Sequence, residues 1–166
     1  GQTIAAQVGM FGARVLYHAR SQKDVAHTYC PDLVDMAGRS DVLIVITPGG
    51  PATRHLVNAG VLEALGPDGI VINVARGSVI DQAALVAALE AGRIAGAGLD
   101  VFEDEPNIPD ALKTMENVVL TPHVGSATVE TRRAMGDLTC DNLSRWRQDG
   151  TVLTPVPECR AQNRGK

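Results

Sequence analysis

The chain has 166 residues, 45% of them hydrophobic but only 3% aromatic, and a formal net charge of −4 with a pI near 5.5. One domain with an aliphatic core is the expectation, and an acidic balance without a basic stripe argues against nucleic acid or anionic membrane as partners. No apolar run approaches the roughly 20 residues of a membrane helix.

In chain order, Gln2 to Phe11 places Ile4, Ala5, Val8 and Phe11 on one helical face, and Arg14–His18 reads as a strand. Pro31 opens a helix with apolar Leu33, Val34, Met36 and Ala37. Val42–Ile46 is an uninterrupted apolar run, expected as a strand buried on both faces. A short helix, Val61–Leu65, precedes strand Ile70–Val74. Asp81 is positioned to cap helix Gln82–Ala91, whose buried stripe is Leu85, Val86 and Leu89. Strand Gly96–Val101 follows, then a loose acidic stretch from Glu103 to Asp110 and strand Val118–Thr121. The last helix runs from Ala127 to Arg147 with Val129, Met135, Leu138, Leu143 and Trp146, and a tail without periodicity follows Gly150. Strands alternating with helices at this spacing predict βαβ units and a doubly wound parallel α/β sheet of Rossmann type.

Cys30, Cys140 and Cys159 fit neither a disulfide framework nor a zinc pattern and are expected as buried, inert thiols in a reducing, cytoplasmic setting. The four histidines have no ligand spacing, so no metal site is expected. His18, His27 and His55 read as structural or surface residues.

Gly1, followed directly by an amphipathic helix, resembles the last glycine of a G-x-G-x-x-G turn. On that reading the chain begins after the first strand of the sheet, an N-terminally truncated unit, and Arg14–His18 is the second strand. The residues after it then sit beside the adenosine ribose. No acid follows the strand directly; Ala19, Arg20 and Ser21 stand there, with Lys23 nearby. Small residue, guanidinium and hydroxyl suit a 2′-phosphate, which favours NADP over NAD.

Three polar signals end successive hydrophobic strands: Ile70-Val-Ile-Asn-Val-Ala-Arg76-Gly, Gly98-Leu-Asp-Val-Phe-Glu-Asp-Glu105-Pro and Val118-Val-Leu-Thr-Pro-His123-Val-Gly-Ser. Ligands of open parallel sheets bind at the carboxyl ends of strands. An arginine, a carboxylate and a histidine converging there read as an anion clamp with an acid/base pair.

These three runs, with Arg76, Glu105 and His123 at 29 and 18 residues apart, resemble the D-isomer-specific 2-hydroxyacid dehydrogenase family, nearest its glyoxylate/hydroxypyruvate and hydroxyphenylpyruvate reductases. The resemblance implies reduction of a 2-oxoacid by a nicotinamide cofactor. Arg76 would hold the substrate carboxylate and carbonyl, His123 would serve as general acid, and Glu105 would favour its imidazolium. It also implies cofactor contacts from Thr47, Pro48, Val74, Ala75, Asp100, Gly125 and Ser126, beside Arg76 and His123. After Pro48 the family commonly has Leu-Thr; here Gly49 and Gly50 are expected to loosen the loop near the adenine. Residues 1–126 would form the cofactor domain. The helix over 127–150 would return to a substrate domain, to which 151–166 would also belong, and a homodimer is implied. Formate dehydrogenase, which should carry glutamine at Glu105, and a cofactor-sensing corepressor are the alternative readings.

Overall fold

The computed structural model describes residues 1–163. It divides into two compact units, one spanning Gly1–His123 and a second starting at Val124.

The first unit opens with helix α1 (Gln2–Gly9), then strands β1 (Leu16–Tyr17) and β2 (Thr28–Tyr29), which pair in parallel as a small sheet. Helix α2 (Leu33–Ala37) starts where the Asp32 carboxylate accepts from the Val34 and Asp35 N–H groups, ending the extended stretch from Cys30. Strand β3 (Val42–Val45), helix α3 (Ala59–Leu65), strand β4 (Ile70–Asn73), helix α4 (Gln82–Glu90) and strand β5 (Gly96–Leu99) follow. Helix α5 (Asp110–Thr114) and strand β6 (Val118–Leu120) complete the series. Asn58 caps α3 and Asp81 caps α4, each through a side-chain oxygen that satisfies amides the helix cannot.

Strands β3, β4, β5 and β6 form one parallel sheet in that spatial order. Register places Leu43 beside Val71 and Ala97, and Val45 beside Asn73 and Leu99. Leu43, Val45, Val71, Ala97 and Leu99 join Met36, Leu62, Leu65, Leu85 and Leu89 of α2, α3 and α4 in a single aliphatic core. The fold is therefore a Rossmann-like α/β unit, as the alternation of elements predicts.

Several expectations need correction. The apolar runs are not buried on both faces. Within this unit α2, α3 and α4 share one core, so alternate residues on the other face, Val42, Ile70 and Val119, stay exposed. Phe11 lies outside any core at 91% exposure, because α1 ends at Gly9 and the chain turns away. On α4 the buried stripe is Leu85, Ala88 and Leu89, with Val86 only half-buried. Cys30 is buried, but Cys140 and Cys159 are exposed free thiols.

In the second unit, α6 (Val129–Asp149) is capped by Thr128 and stopped by Gly150 in the left-handed conformation. Its Val129, Met135, Leu143 and Trp146 are exposed. The tail is tied down rather than loose: Asn142 exchanges two hydrogen bonds with Thr154, and Asn163 two with Val152. No helix among the described residues is long and apolar enough to cross a membrane.

Candidate active site

Because β3 to β6 are parallel and adjacent in chain order, the four segments that leave their carboxyl ends emerge along one edge of the sheet. They enclose a cleft of about 780 Å³ lined by Thr47, Pro48 and Gly49 after β3, Val74 to Ser78 after β4, Phe102, Glu103 and Glu105 after β5, and His123 after β6. Three residues far apart in sequence, Arg76, Glu105 and His123, thus share one site.

Glu105 and His123 touch. Oε2 of Glu105 lies 2.8 Å from Nδ1 of His123, and its Oε1 accepts from the Phe102 N–H at 2.9 Å. Glu105 is held below the usual carboxylate range first by the His123 hydrogen bond and then by the Phe102 amide. The charge of Arg76 acts in the same direction, and desolvation opposes all three. With Nδ1 engaged, Nε2 is the nitrogen through which His123 can exchange a proton with a ligand. His123 sits at φ 53°, a left-handed conformation uncommon outside glycine, and its N–H donates to the Thr121 carbonyl across Pro122.

Arg76 follows a turn braced from beneath. Asn73, 1% exposed at the end of an apolar strand, accepts from the Ala75 N–H at 3.0 Å and donates to the Arg76 carbonyl at 3.1 Å. The exposed Arg76 guanidinium donates to the Ala75 carbonyl at 2.6 Å. Gly49 lies against its stem: a Cβ there would come within 2.9 Å of Arg76 Cγ. Gly49 therefore makes room for the arginine stem. Gly77 is tighter still, since a Cβ would fall 1.9 Å from the Phe102 carbonyl carbon.

Of the residues expected to hold a cofactor, Thr47, Pro48, Val74 and Ala75 line the cleft with Arg76 and His123. Gly1 is not on its lining but abuts Ile46, which is. Asp100 is buried at the end of β5 and accepts from Thr121 Oγ1 at 2.5 Å, apart from the lining. Gly125 and Ser126 fall in the second unit. Ala19, Arg20 and Ser21 form the turn after β1, where Tyr29 donates to the Ala19 carbonyl and the Lys23 amine donates to Ser21 Oγ at 3.0 Å. That turn brings a hydroxyl and an ammonium together, a pair suited to a phosphate.

Sequence reasoning missed Asn73, although an amide inside the run Ile-Val-Ile-Asn-Val was a signal. It also missed Arg54, and it read Glu103 as part of a loose acidic stretch and His55 as a structural or surface residue. All three are joined beside the cleft.

Residues 1–125 match the model of the D-isomer specific 2-hydroxyacid dehydrogenase, NAD binding domain. The chain is 48% identical over 157 residues to glyoxylate/hydroxypyruvate reductase A of Arabidopsis thaliana, covering 94% of this chain and 50% of that one. Against hydroxyphenylpyruvate reductase of Plectranthus scutellarioides it is 46% identical, with the same coverage. The crystal structure of an NADPH-dependent glyoxylate/hydroxypyruvate reductase from Sinorhizobium meliloti, in complex with NADP and malonate, superposes with a TM-score of 0.92 at 55% identity, over 95% of this chain and 50% of that one. The chain spans about half the length of the curated relatives it matches. On the family match and these identities, it belongs to the D-isomer specific 2-hydroxyacid dehydrogenases, whose NAD binding domain it carries.

Proposed function

We propose that the whole protein reduces a small 2-oxoacid of the glyoxylate or hydroxypyruvate kind to the D-2-hydroxyacid, with NADPH preferred and NADH as the alternative reductant. The observation that carries this is the single cleft shared by Arg76, Glu105 and His123, the last two in contact at 2.8 Å. The names of the relatives and the NADP in the Sinorhizobium meliloti complex support the substrate class and the cofactor.

A 2-oxoacid offers a carboxylate beside a ketone. The planar, permanently charged guanidinium of Arg76 can meet two of its oxygens at once. A bound nicotinamide supplies a hydride to the ketone carbon. As negative charge grows on the ketone oxygen, His123 delivers a proton from Nε2, while Glu105 holds Nδ1 and favours the imidazolium. For the reverse oxidation, the neutral imidazole takes the hydroxyl proton.

The residues present fit the cofactor. Thr47, Pro48, Val74 and Ala75 would line its crevice beside Arg76 and His123, and Asp100, Gly125 and Ser126 belong to the same assignment. Gly1 would lie at the phosphates. Arg20 and Ser21, with Ala19 leaving space and Lys23 adjacent, would take the 2′-phosphate. The helix over 127–150 and residues 151–166 are assigned to the side of a substrate domain. A homodimer is part of the proposal, supported by the exposed apolar side chains of α6. A cytoplasmic location is supported by three free cysteines. No observation favours the formate dehydrogenase or corepressor readings.

The test is a screen of the whole protein for NADPH and NADH oxidation with glyoxylate, hydroxypyruvate and hydroxyphenylpyruvate, beside NADP reduction by formate. Turnover of a 2-oxoacid is expected, about tenfold or more better with NADPH, the worth of one charge-assisted contact to the extra phosphate. No turnover of any 2-oxoacid, or turnover of formate instead, would overturn the proposal.

A further inference from the structure

Two residues before the dyad carboxylate stands a second acid, Glu103, with no role so far. Its Oε1 accepts from Arg54 Nη2 at 2.8 Å and from His55 Nε2 at 2.8 Å. Two donors on one oxygen, one of them a guanidinium, restrain a carboxylate that would otherwise be a mobile surface group. Its backbone N–H donates to Gln82 Oε1 at 3.1 Å, so the loop after β5 is fastened to the start of α4 as well.

The donors are themselves fixed. The His55 N–H donates to the Ser78 carbonyl at 2.9 Å, and its Nδ1 lies 3.9 Å from an Asp81 oxygen. His55 holds φ at 50°, a left-handed conformation that few non-glycine residues adopt and that persists where surrounding contacts dictate it. Val57 forms a parallel bridge with Ile80, so the segment carrying Arg54 and His55 is stitched to the segment that follows Arg76. On the opposite side, Gly77 packs directly on the Phe102–Glu103 peptide, and the Phe102 N–H donates to Glu105. Each joint ends close in sequence to Arg76 or to Glu105.

We propose that Glu103, clamped by Arg54 and His55, is a positioning residue that sets the loop after β5 so that Glu105 reaches His123 beside Arg76. The inference rests on the reading of Arg76, Glu105 and His123 given above. It goes beyond that reading by assigning the alignment of the dyad to a second carboxylate–imidazole contact that meets no reacting atom. A small displacement of a reacting group costs far more rate than stability, so the effect belongs in turnover.

The experiment is a double-mutant cycle in the whole protein, with NADPH and hydroxypyruvate, on Glu103→Gln, Glu105→Gln and the pair, with thermal midpoints as control. Expected is a loss of about tenfold in kcat for Glu103→Gln, with the KM for NADPH unchanged, shrinking to less than about twofold in the Glu105→Gln background. Losses that multiply in full, or wild-type kcat in Glu103→Gln, would overturn the assignment while leaving the dyad in place. If Glu105→Gln alone leaves turnover and its pH profile unaltered, the dyad reading fails and the anchor falls with it. Should Glu103→Gln not fold, Arg54→Gln breaks the same joint at a side chain 59% exposed. A loss of about threefold is then expected, again absent beside Glu105→Gln, and a fully additive loss overturns the anchor.

Discussion

Glu105 divides its oxygens between the imidazole of His123 and the amide of Phe102, and the proposed proton transfer depends on that division at the residue scale. The contact to His123 engages Nδ1 and leaves Nε2 for the proton transfer proposed above. Replacing Glu105 by glutamine keeps the shape and removes the negative charge beside the His123 ring. The pH optimum for 2-oxoacid reduction is therefore expected to move down, together with a fall in turnover. A pH–rate profile of the variant that overlays the wild type contradicts this. That Arg76, Glu105 and His123 would share one cleft was legible in the sequence because each follows a strand of a parallel sheet. Glu103 was not, because its partners Arg54 and His55 are 49 and 48 residues away and an acidic run ordinarily faces solvent. Asn73 escaped for a different reason: its work is on its own backbone turn, which a side-chain inventory does not reveal.

At the scale of elements, the site exists because four parallel strands in sequential order deliver their ends to one edge, and the loops there are packed backbone against backbone. Gly77 is the tightest joint, with no space for a Cβ against the Phe102 carbonyl. Gly77→Ala must push the loop after β5 away from the Arg76 turn, at an expected cost of about 3 kcal/mol. Denaturant unfolding measures it, and an unchanged midpoint would show that the two loops part freely. The strands from β3 to β6, and α4 with its Asp81 cap, were readable from apolar runs and capping chemistry. The two-residue strand β2 and the five-residue α5 were not, being shorter than any window in which periodicity can be judged. Nor could an apolar run reveal that α2, α3 and α4 share one core, leaving Val42, Ile70 and Val119 exposed.

At the scale of the whole molecule, three carboxylates share one electrostatic trend. Glu105 beside His123, Asp110 hydrogen-bonded by Lys113, and Asp149 hydrogen-bonded by Thr151 all have their pKa lowered from ordinary values of 4.5, 3.8 and 3.8. A carboxyl depressed in the folded state stabilises the fold above its unfolded pKa, and that contribution disappears as pH falls through the folded value. The thermal midpoint should hold above pH 4.5 and then fall as acid is added past pH 3.8; a midpoint that rises there contradicts the assignment. The family was legible because three motifs stood in order at fixed spacing, whereas the open sheet face and the exposed apolar side chains of α6 are products of packing. The most direct test of the central claim is single-turnover NADPH oxidation by hydroxypyruvate in the whole protein, wild type against His123→Gln. Without the proton that His123 is proposed to deliver, that turnover should slow by about a hundredfold or more; equal rates would contradict the account.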